Sequence, residues 1–409
     1  MPTRRAVWLL VLLFLGIYLW RNVWVVWPFL FRTGGDFANF HRSAALLLDG
    51  QSPFTPTFDY PPLLAILLLP VAWMTLDGAR VAWFLVSHAC LLGSAAILWR
   101  SLGGGLTALA VLGALGSLGG TVQENLALGQ VNPLLLLLLA VAVRADGNRP
   151  SQGAAALGAG AGLKIWPGLL LLAYAGRASR RLFAIGIAVA VLCVALPLIL
   201  IAVFLPPPHL PHGTGYWMGT PASLNVSLPA LALRLSYPLS GPVPEDWIVG
   251  NEVARLHLDA GRKALSVGVS LATLALGLVA LGWRARQDRW DGRFGLAALT
   301  ALAILASPIS WYHYQLLQFP GLALLAVSYL RRRALLPMAG LAILAAGLTS
   351  RTVRDFLLRG GDAGSVLLYG AVIAGLGVVL FILLLKEMPT GPAPSSSGTA
   401  RPASPRSSS

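Results

Sequence analysis

Acidic residues are scarce in this 409-residue chain, with 15 Asp and Glu against 30 Lys and Arg. Lysine is scarcer still: Lys164, Lys263 and Lys386 are the only three. Charged residues of all kinds make up 11% of the chain, 56% is hydrophobic, and the mean hydropathy is +0.74. A soluble core cannot hide that much apolar surface, so the expected fold is an all-α polytopic membrane protein. The two cysteines, Cys90 and Cys193, both lie in apolar runs and read as small packing residues, not as a disulfide or a metal pair. There is no nucleotide-binding glycine loop, no paired Cys/His metal spacing and no serine nucleophile elbow, so no soluble catalytic domain is expected. The net charge of +15 sits mostly in Arg clusters at the ends of hydrophobic runs. That is the pattern of cytoplasmic loops and gives no ground for a nucleic-acid partner.

What is present is a succession of apolar runs. Measured against roughly 20 residues per crossing, the candidates are 6–31, 60–76, 80–99, 104–120, 126–143, 153–175, 182–205, 264–283, 292–306, 313–330, 334–350 and 364–385. The first follows Arg4 and Arg5 with no small-residue cleavage site after it, and reads as an uncleaved helix. Clusters at Arg144/Arg149, Arg177/Arg180/Arg181, Arg284/Arg286/Arg289/Arg293 and Arg331–Arg333 mark the cytoplasmic side, leaving 32–60, 206–262, 307–313 and 351–363 outside. The last of these carries Arg351, Arg354 and Arg359, against the rule.

Parity adds two expectations. Three candidate crossings lie between the outer loop 32–60 and Arg144, so one of them is short or re-entrant. Segment 153–175 lies between two Arg-rich loops that both belong inside, which two half-length arms meeting near Lys164-Ile165-Trp166-Pro167 satisfy. The expected total is roughly 11–13 crossings, over 1–385, with outer loops 32–60 and 206–262 capping an active site. The Pro/Ser-rich tail, 386–409, is expected to be disordered and cytoplasmic.

Polar residues in or beside the apolar runs carry the rest, since each costs roughly 2.5–3.5 kcal/mol at a helix centre unless it faces a cavity. Asp36 follows the first run at the water boundary, where a carboxylate can be a general base or simply turn the chain or cap a helix. Glu124-Asn125 and Gly129-Gln130-Val131-Asn132 are either a polar turn or part of a site. Lys164 lies too deep in its segment to snorkel easily, and a buried ammonium wants an anion, for which a lipid phosphate is the obvious candidate. Trp311, Tyr312, His313 and Tyr314 are either an aromatic belt or a phosphate- and sugar-binding wall. In the long outer loop, Tyr216-Trp217 and the Asn225 segment offer aromatic faces and amides suited to sugar rings.

Taken in order, Gly35-Asp36, Leu48-Asp49-Gly50-Gln51-Ser52-Pro53-Phe54, Phe58-Asp59-Tyr60-Pro61-Pro62-Leu63, Gly129-Gln130-Val131-Asn132, Leu163-Lys164-Ile165-Trp166-Pro167, Asn225-Val226-Ser227-Leu228 and Ser307-Pro308-Ile309-Ser310-Trp311 resemble glycosyltransferase family 87. These are polyprenol-phosphate-mannose-dependent mannosyltransferases of the GT-C superfamily, and the resemblance covers residues 1 to about 385. The chain departs at Val226, where members often carry Gln. The resemblance implies a GT-C-like helical bundle with its active site on the extracytoplasmic face of a bacterial plasma membrane. It implies transfer of a hexose, mannose foremost, from a polyprenyl-phosphate-sugar to a glycolipid or glycan acceptor, with inversion. Asp36 would be the general base and Lys164 and His313 would hold the donor phosphate. Tyr60, Gln130 and Asn132 would bind donor phosphate or sugar, and Asn225, Trp217 and Trp311 the acceptor or loop. No metal or other cofactor is required by a monophosphate donor. Two other classes stay open. A secondary transporter would strand similar charges but repeat its halves, and no second copy of the 32–62 pattern is found. A lipid-glycan ligase or polymerase would rely on cations of the outer loop, here Arg234, Arg255, Arg262, His209, His212 and His257.

Overall fold

The computed structural model describes residues 4–32, 35–55, 58, 60–146, 148–175, 179–205, 221–237, 247, 258–287 and 291–388. Trp217, the loop histidines 209, 212 and 257, Arg255 and residues 389–409 lie outside them. Among the described residues the regular structure is helical, apart from one isolated β-bridge between Asn225 and Trp311.

Helix α1 (Arg4–Tyr18) runs on through a π-helical stretch, Leu19–Trp24, and a 3₁₀ turn, Trp27–Phe29. Helix α2 (Asp36–Leu48) starts after Gly35, whose φ of 94° is a conformation that only glycine adopts cheaply. Asp36 therefore heads the first turn, where the helix dipole favours a carboxylate. The expected crossing 60–76 is instead two fragments, α3 (Leu63–Leu67) and α4 (Leu69–Ala72), which pack on α2 and are too short to span. That fragment is the short member the parity argument required. Helix α5 (Leu76–Ser101), capped by the Thr75 side chain, is a full crossing. Helices α6 (Leu106–Leu118) and α7 (Gly120–Leu128) meet at 57°. The carbonyls loosened near that bend are satisfied from the π-helical stretch, where Arg21 Nη1 donates to Leu118 O (3.0 Å) and Asn22 Nδ2 to Gly116 O (3.1 Å).

Helix α8 (Asn132–Ala145) is followed by α9 (Pro150–Leu163), which stops where Lys164 turns extended. A 3₁₀ stretch, Trp166–Leu171, and α10 (Leu172–Ala175) then run back along α9. Gly168 lies against Ala161, Pro167 against Gly160 and Tyr174 against Gly153, so 150–175 is a hairpin with Lys164-Ile165 at its apex. Helix α11 (Arg180–Phe204) packs on α9 where glycines admit it: Gly158 against the Gly186 backbone and Gly162 against Cys193. The chain continues through α12 (Leu228–Leu235), α13 (Ala260–Arg286), α14 (Gly292–Ala306), a 3₁₀ stretch Tyr312–Gln318 and α15 (Phe319–Arg331). Helices α16 (Leu335–Thr349) and α17 (Arg351–Leu357) meet at 69°, and α18 (Ala363–Glu387) opens on a capping box between Asp362 and Ser365.

Among the described residues five helical stretches are long and apolar enough to cross a membrane, seven if each bent pair is one span. That is fewer than the roughly 11–13 expected, because several apolar runs fold as short or broken helices. The chain is a polytopic membrane protein. The Arg-bearing ends meet at one pole. Arg293 Nη1 donates to Ser101 O (3.4 Å), Arg331 Nη2 to Leu102 O (2.5 Å) and Arg284 Nη2 to Lys386 O (3.2 Å), while Arg332 pairs with Glu387 (2.7 Å). Helices α8, α9, α14 and α15 touch this pole and hold 13 to 15 residues. At 1.5 Å per residue they end about 20 Å above it, short of a hydrocarbon core of roughly 30 Å. Helices α5, α11, α13 and α18 hold 25 to 27 residues and rise past them. Helix α14 is buried along its whole length, whereas α11 and α13 are mostly exposed. Short helices thus form a central floor, long ones the walls.

Candidate functional site

The site is built on the junction of α7 and α8. Helix α7 ends at Gly129, whose φ of +65° returns Gln130 N–H to Asn125 O (2.9 Å). A Cβ at Gly129 would collide with Phe37, so the turn needs glycine twice over, and Trp83 Nε1 donates to its carbonyl at 2.9 Å. This turn aims Gln130 and Asn132 at the two opposite charges of the site. Gln130 Nε2 donates to Asp36 Oδ2, and its Oε1 accepts from the Tyr60 hydroxyl at 3.3 Å.

Two residues on, Asn132 Oδ1 accepts from Lys164 Nζ at 3.4 Å while its Nδ2 donates to Asn125 Oδ1 at 2.8 Å. Asn125 Nδ2 in turn donates to Thr121 O (2.7 Å) and His313 O (2.8 Å). The orientation of both amides follows from the lysine, which can only donate. Lys164 is 8% exposed, and its ammonium lies over two rings, 3.8 Å from the Tyr314 centroid and 5.2 Å from that of Tyr60. It attracts Asp36 and repels charge on His313, so the three groups share one electrostatic neighbourhood. His313 is buried and its Nε2 has no partner among the described residues. Asp36, Tyr60, Gln130, Asn132, Lys164 and His313 are thereby brought together from five separate stretches of chain.

Asn225 and Trp311 belong to a second cluster. Asn225 is fully buried, with Nδ2 donating to Pro308 O and Ser310 N–H donating to Oδ1, both at 2.9 Å. Val226 N–H to Ser310 O (2.7 Å) and Tyr312 N–H to Leu224 O (3.0 Å) complete the ladder beside the bridge to Trp311. The Asn225 amide thus holds the 308–311 segment in place. Arg234, a loop cation on which the ligase reading rested, is buried and donates to the carbonyls of Pro221 (2.9 Å), Ala222 and Asn225 (2.5 Å).

Three features were not among the expected site residues. Tyr314 supplies the nearer ring under Lys164. Asn125, legible as one of a polar pair, ties the lysine and histidine arms together. Arg354 pairs with Glu124 at 2.5 Å and lies over the Tyr312 ring, fastening α17 to α7. Among the described residues no three His, Cys, Asp or Glu side chains converge as a metal site.

Fold and site together define a polytopic membrane protein with a buried cluster of charged and amide side chains at the end away from its arginine pole. Residues 58–308 match glycosyltransferase family 87, and the chain belongs to that family: it is a membrane glycosyltransferase. Asp36, Trp311 and His313 flank the matched stretch. The chain is similar to a polyprenol-phosphate-mannose-dependent alpha-(1-2)-phosphatidylinositol mannoside mannosyltransferase of Mycobacterium tuberculosis (strain ATCC 25618 / H37Rv), 26% identical over 376 residues, covering 83% of this chain and 82% of the relative. It is also similar to a polyprenol-phosphate-mannose-dependent alpha-(1-2)-phosphatidylinositol pentamannoside mannosyltransferase of Mycobacterium tuberculosis (strain CDC 1551 / Oshkosh), 28% identical over 332 residues, covering 76% and 70%.

Proposed function

We propose that the chain transfers mannose from a polyprenyl-phosphate-mannose donor to a mannosylated phosphatidylinositol-type glycolipid, with inversion, on the extracytoplasmic face of the plasma membrane. The observation that carries this reading is the state of Lys164. A buried ammonium whose hydrogen bond goes to one neutral amide, with aromatic faces around it, is a cation prepared for an anion. The names of both relatives specify polyprenol-phosphate-mannose as donor and a phosphatidylinositol mannoside as acceptor.

In this mechanism Asp36 takes the proton of the acceptor hydroxyl as its oxygen attacks the anomeric carbon. The bond from that carbon to the phosphate oxygen breaks, and its electron pair leaves on the phosphate. Lys164 and His313 stabilise the charge that develops there. The products are the elongated glycolipid and polyprenyl monophosphate, and the proton rests on Asp36 until water removes it. A monophosphate donor has no diphosphate to clamp, so the reaction needs no divalent metal.

The floor at about 20 Å suits a donor whose phosphate dips below the bilayer surface while its polyprenyl chain stays in the lipid. The arginine pole faces the cytoplasm by the positive-inside rule. Strongly exposed tryptophans, Trp24 (77%) and Trp73 (76%), lie near the site end, as in an interfacial aromatic belt. The test is transfer by purified protein in EDTA. Mannose is expected to pass from polyprenyl-phosphate-mannose to a phosphatidylinositol mannoside, with none from GDP-mannose. Strict dependence on Mg²⁺ or turnover of the nucleotide sugar overturns the reading.

A further inference from the structure

Asp36 and Lys164 attract each other, and opposite charges attract far more strongly in a dry interior than in water. Left alone they would close into an ion pair, which would remove the base and the anion-binding cation together. Each is instead bonded by an uncharged amide from the same turn: Asp36 Oδ2 by Gln130 Nε2, and Lys164 Nζ by Asn132 Oδ1. Val131, between them, is completely buried and fixes the turn.

Both amides are themselves anchored. The Tyr60 hydroxyl donates to Gln130 Oε1, which leaves the NH₂ end for the carboxylate. Asn132 donates to Asn125, which donates to the Thr121 and His313 carbonyls, so its oxygen is the end left for the ammonium.

We propose that Gln130 and Asn132 are positioning residues that hold the base and the cation apart, one amide bonded to each charge, so that Lys164 stays open to an anion. This deepens the function proposed above and rests on Asp36 as base and Lys164 as phosphate ligand. It gives both amides a role toward the charges of the protein in place of the sugar contact expected from sequence.

The decisive test at Asn132 is a rank order. Aspartate keeps the shape of asparagine and alanine does not, so a packing role makes Asn132→Asp the milder change. A carboxylate there would neutralise Lys164, so charge separation makes it the harsher one. In purified full-length protein, Asn132→Asp is expected to weaken equilibrium binding of polyprenyl-phosphate-mannose about 100-fold and Asn132→Ala about fivefold. The reverse order overturns the proposal.

At Gln130, Gln130→Leu is expected to lower kcat about 30-fold with donor KM within about twofold. It is expected to add nothing in an Asp36→Asn background, because the two act as one unit. A raised donor KM at unchanged kcat, or additive effects, overturns the proposal in favour of a sugar contact. Tyr60→Phe, which keeps the ring near Lys164 and removes only the hydroxyl, is the mildest variant and is expected to lower kcat severalfold. Wild-type kcat in that protein also counts against the Gln130 role. Full activity in Asp36→Asn would sink the base itself. An inactive Asp36→Asn beside an unaffected Gln130→Leu would sink only this inference.

Discussion

Two cations, Lys164 buried at the hairpin apex and Arg354 half-buried on α17, are held in opposite ways. Lys164 meets an amide oxygen and two rings. Arg354, with its side chain 11% exposed, meets the Glu124 carboxylate at 2.5 Å and that of Asp355 at 3.0 Å. A cation with a carboxylate in contact is complete, and works as a fastener between α17 and α7. A cation with neutral partners costs stability through its own burial and is retained for what binds it. The same contrast accounts for arginines on the side where the positive-inside rule expects few. Arg354 is offset by Glu124, and Arg351 lies 3.5 Å from Asp355, so that end gains little net charge.

The largest expected effect belongs to the charge opposite Lys164. Asp36→Asn should lower kcat by about 10²–10⁴-fold while donor binding persists, as befits a general base. Activity within about threefold of wild type would remove Asp36 from the chemistry. Lys164→Met should lower donor-dependent transfer about 100-fold and leave the unfolding temperature in detergent unchanged or higher, because an uncompensated buried charge has gone. A marked loss of thermal stability would make Lys164 a fastener too, and end the distinction.

Arg354→Met should do the reverse, costing about 3–5 kcal/mol by stranding the Glu124 carboxylate while kcat per folded molecule holds. Adding Glu124→Gln should return most of that loss, and a double variant no better than the single would break the pairing argument. At the small end, Arg351→Ala removes a contact between side chains more than half exposed. It should shift stability by under about 1 kcal/mol, and a larger shift would assign Arg351 to the fastener as well.

Much of the frame was legible beforehand. Arg clusters on both sides of 153–175 demanded a hairpin, and the depth of Lys164 in an apolar run demanded polar or aromatic company, which Asn132, Tyr314 and Tyr60 supply. Asp36 stood out because acids are few and it opens a segment expected outside. What sequence withheld is the assignment of partners. Glu124 and Arg354 are separated by 230 positions, so no periodicity links them. Gln130 and Tyr60 were expected as donor phosphate or sugar contacts through the family resemblance. Only the coordinates place both on one line of bonds ending at Asp36. Asn225 was expected as an acceptor or loop contact in a long outer segment, and it is instead fully buried with backbone partners more than 80 positions away.

The hairpin that carries Lys164 also dictates an order of events while the chain is being made. With 14 residues, α9 is too short to leave the insertion machinery as a span, and arginine lies on both sides of the hairpin. It reaches its depth by docking against helices already in the bilayer. Gly158 and Gly162 are the faces that admit α11, where an added side chain would meet Gly186 or Cys193. The cation of the site is thus installed after its surroundings exist, and a bulky residue at either glycine would yield a protein that inserts yet never assembles its floor.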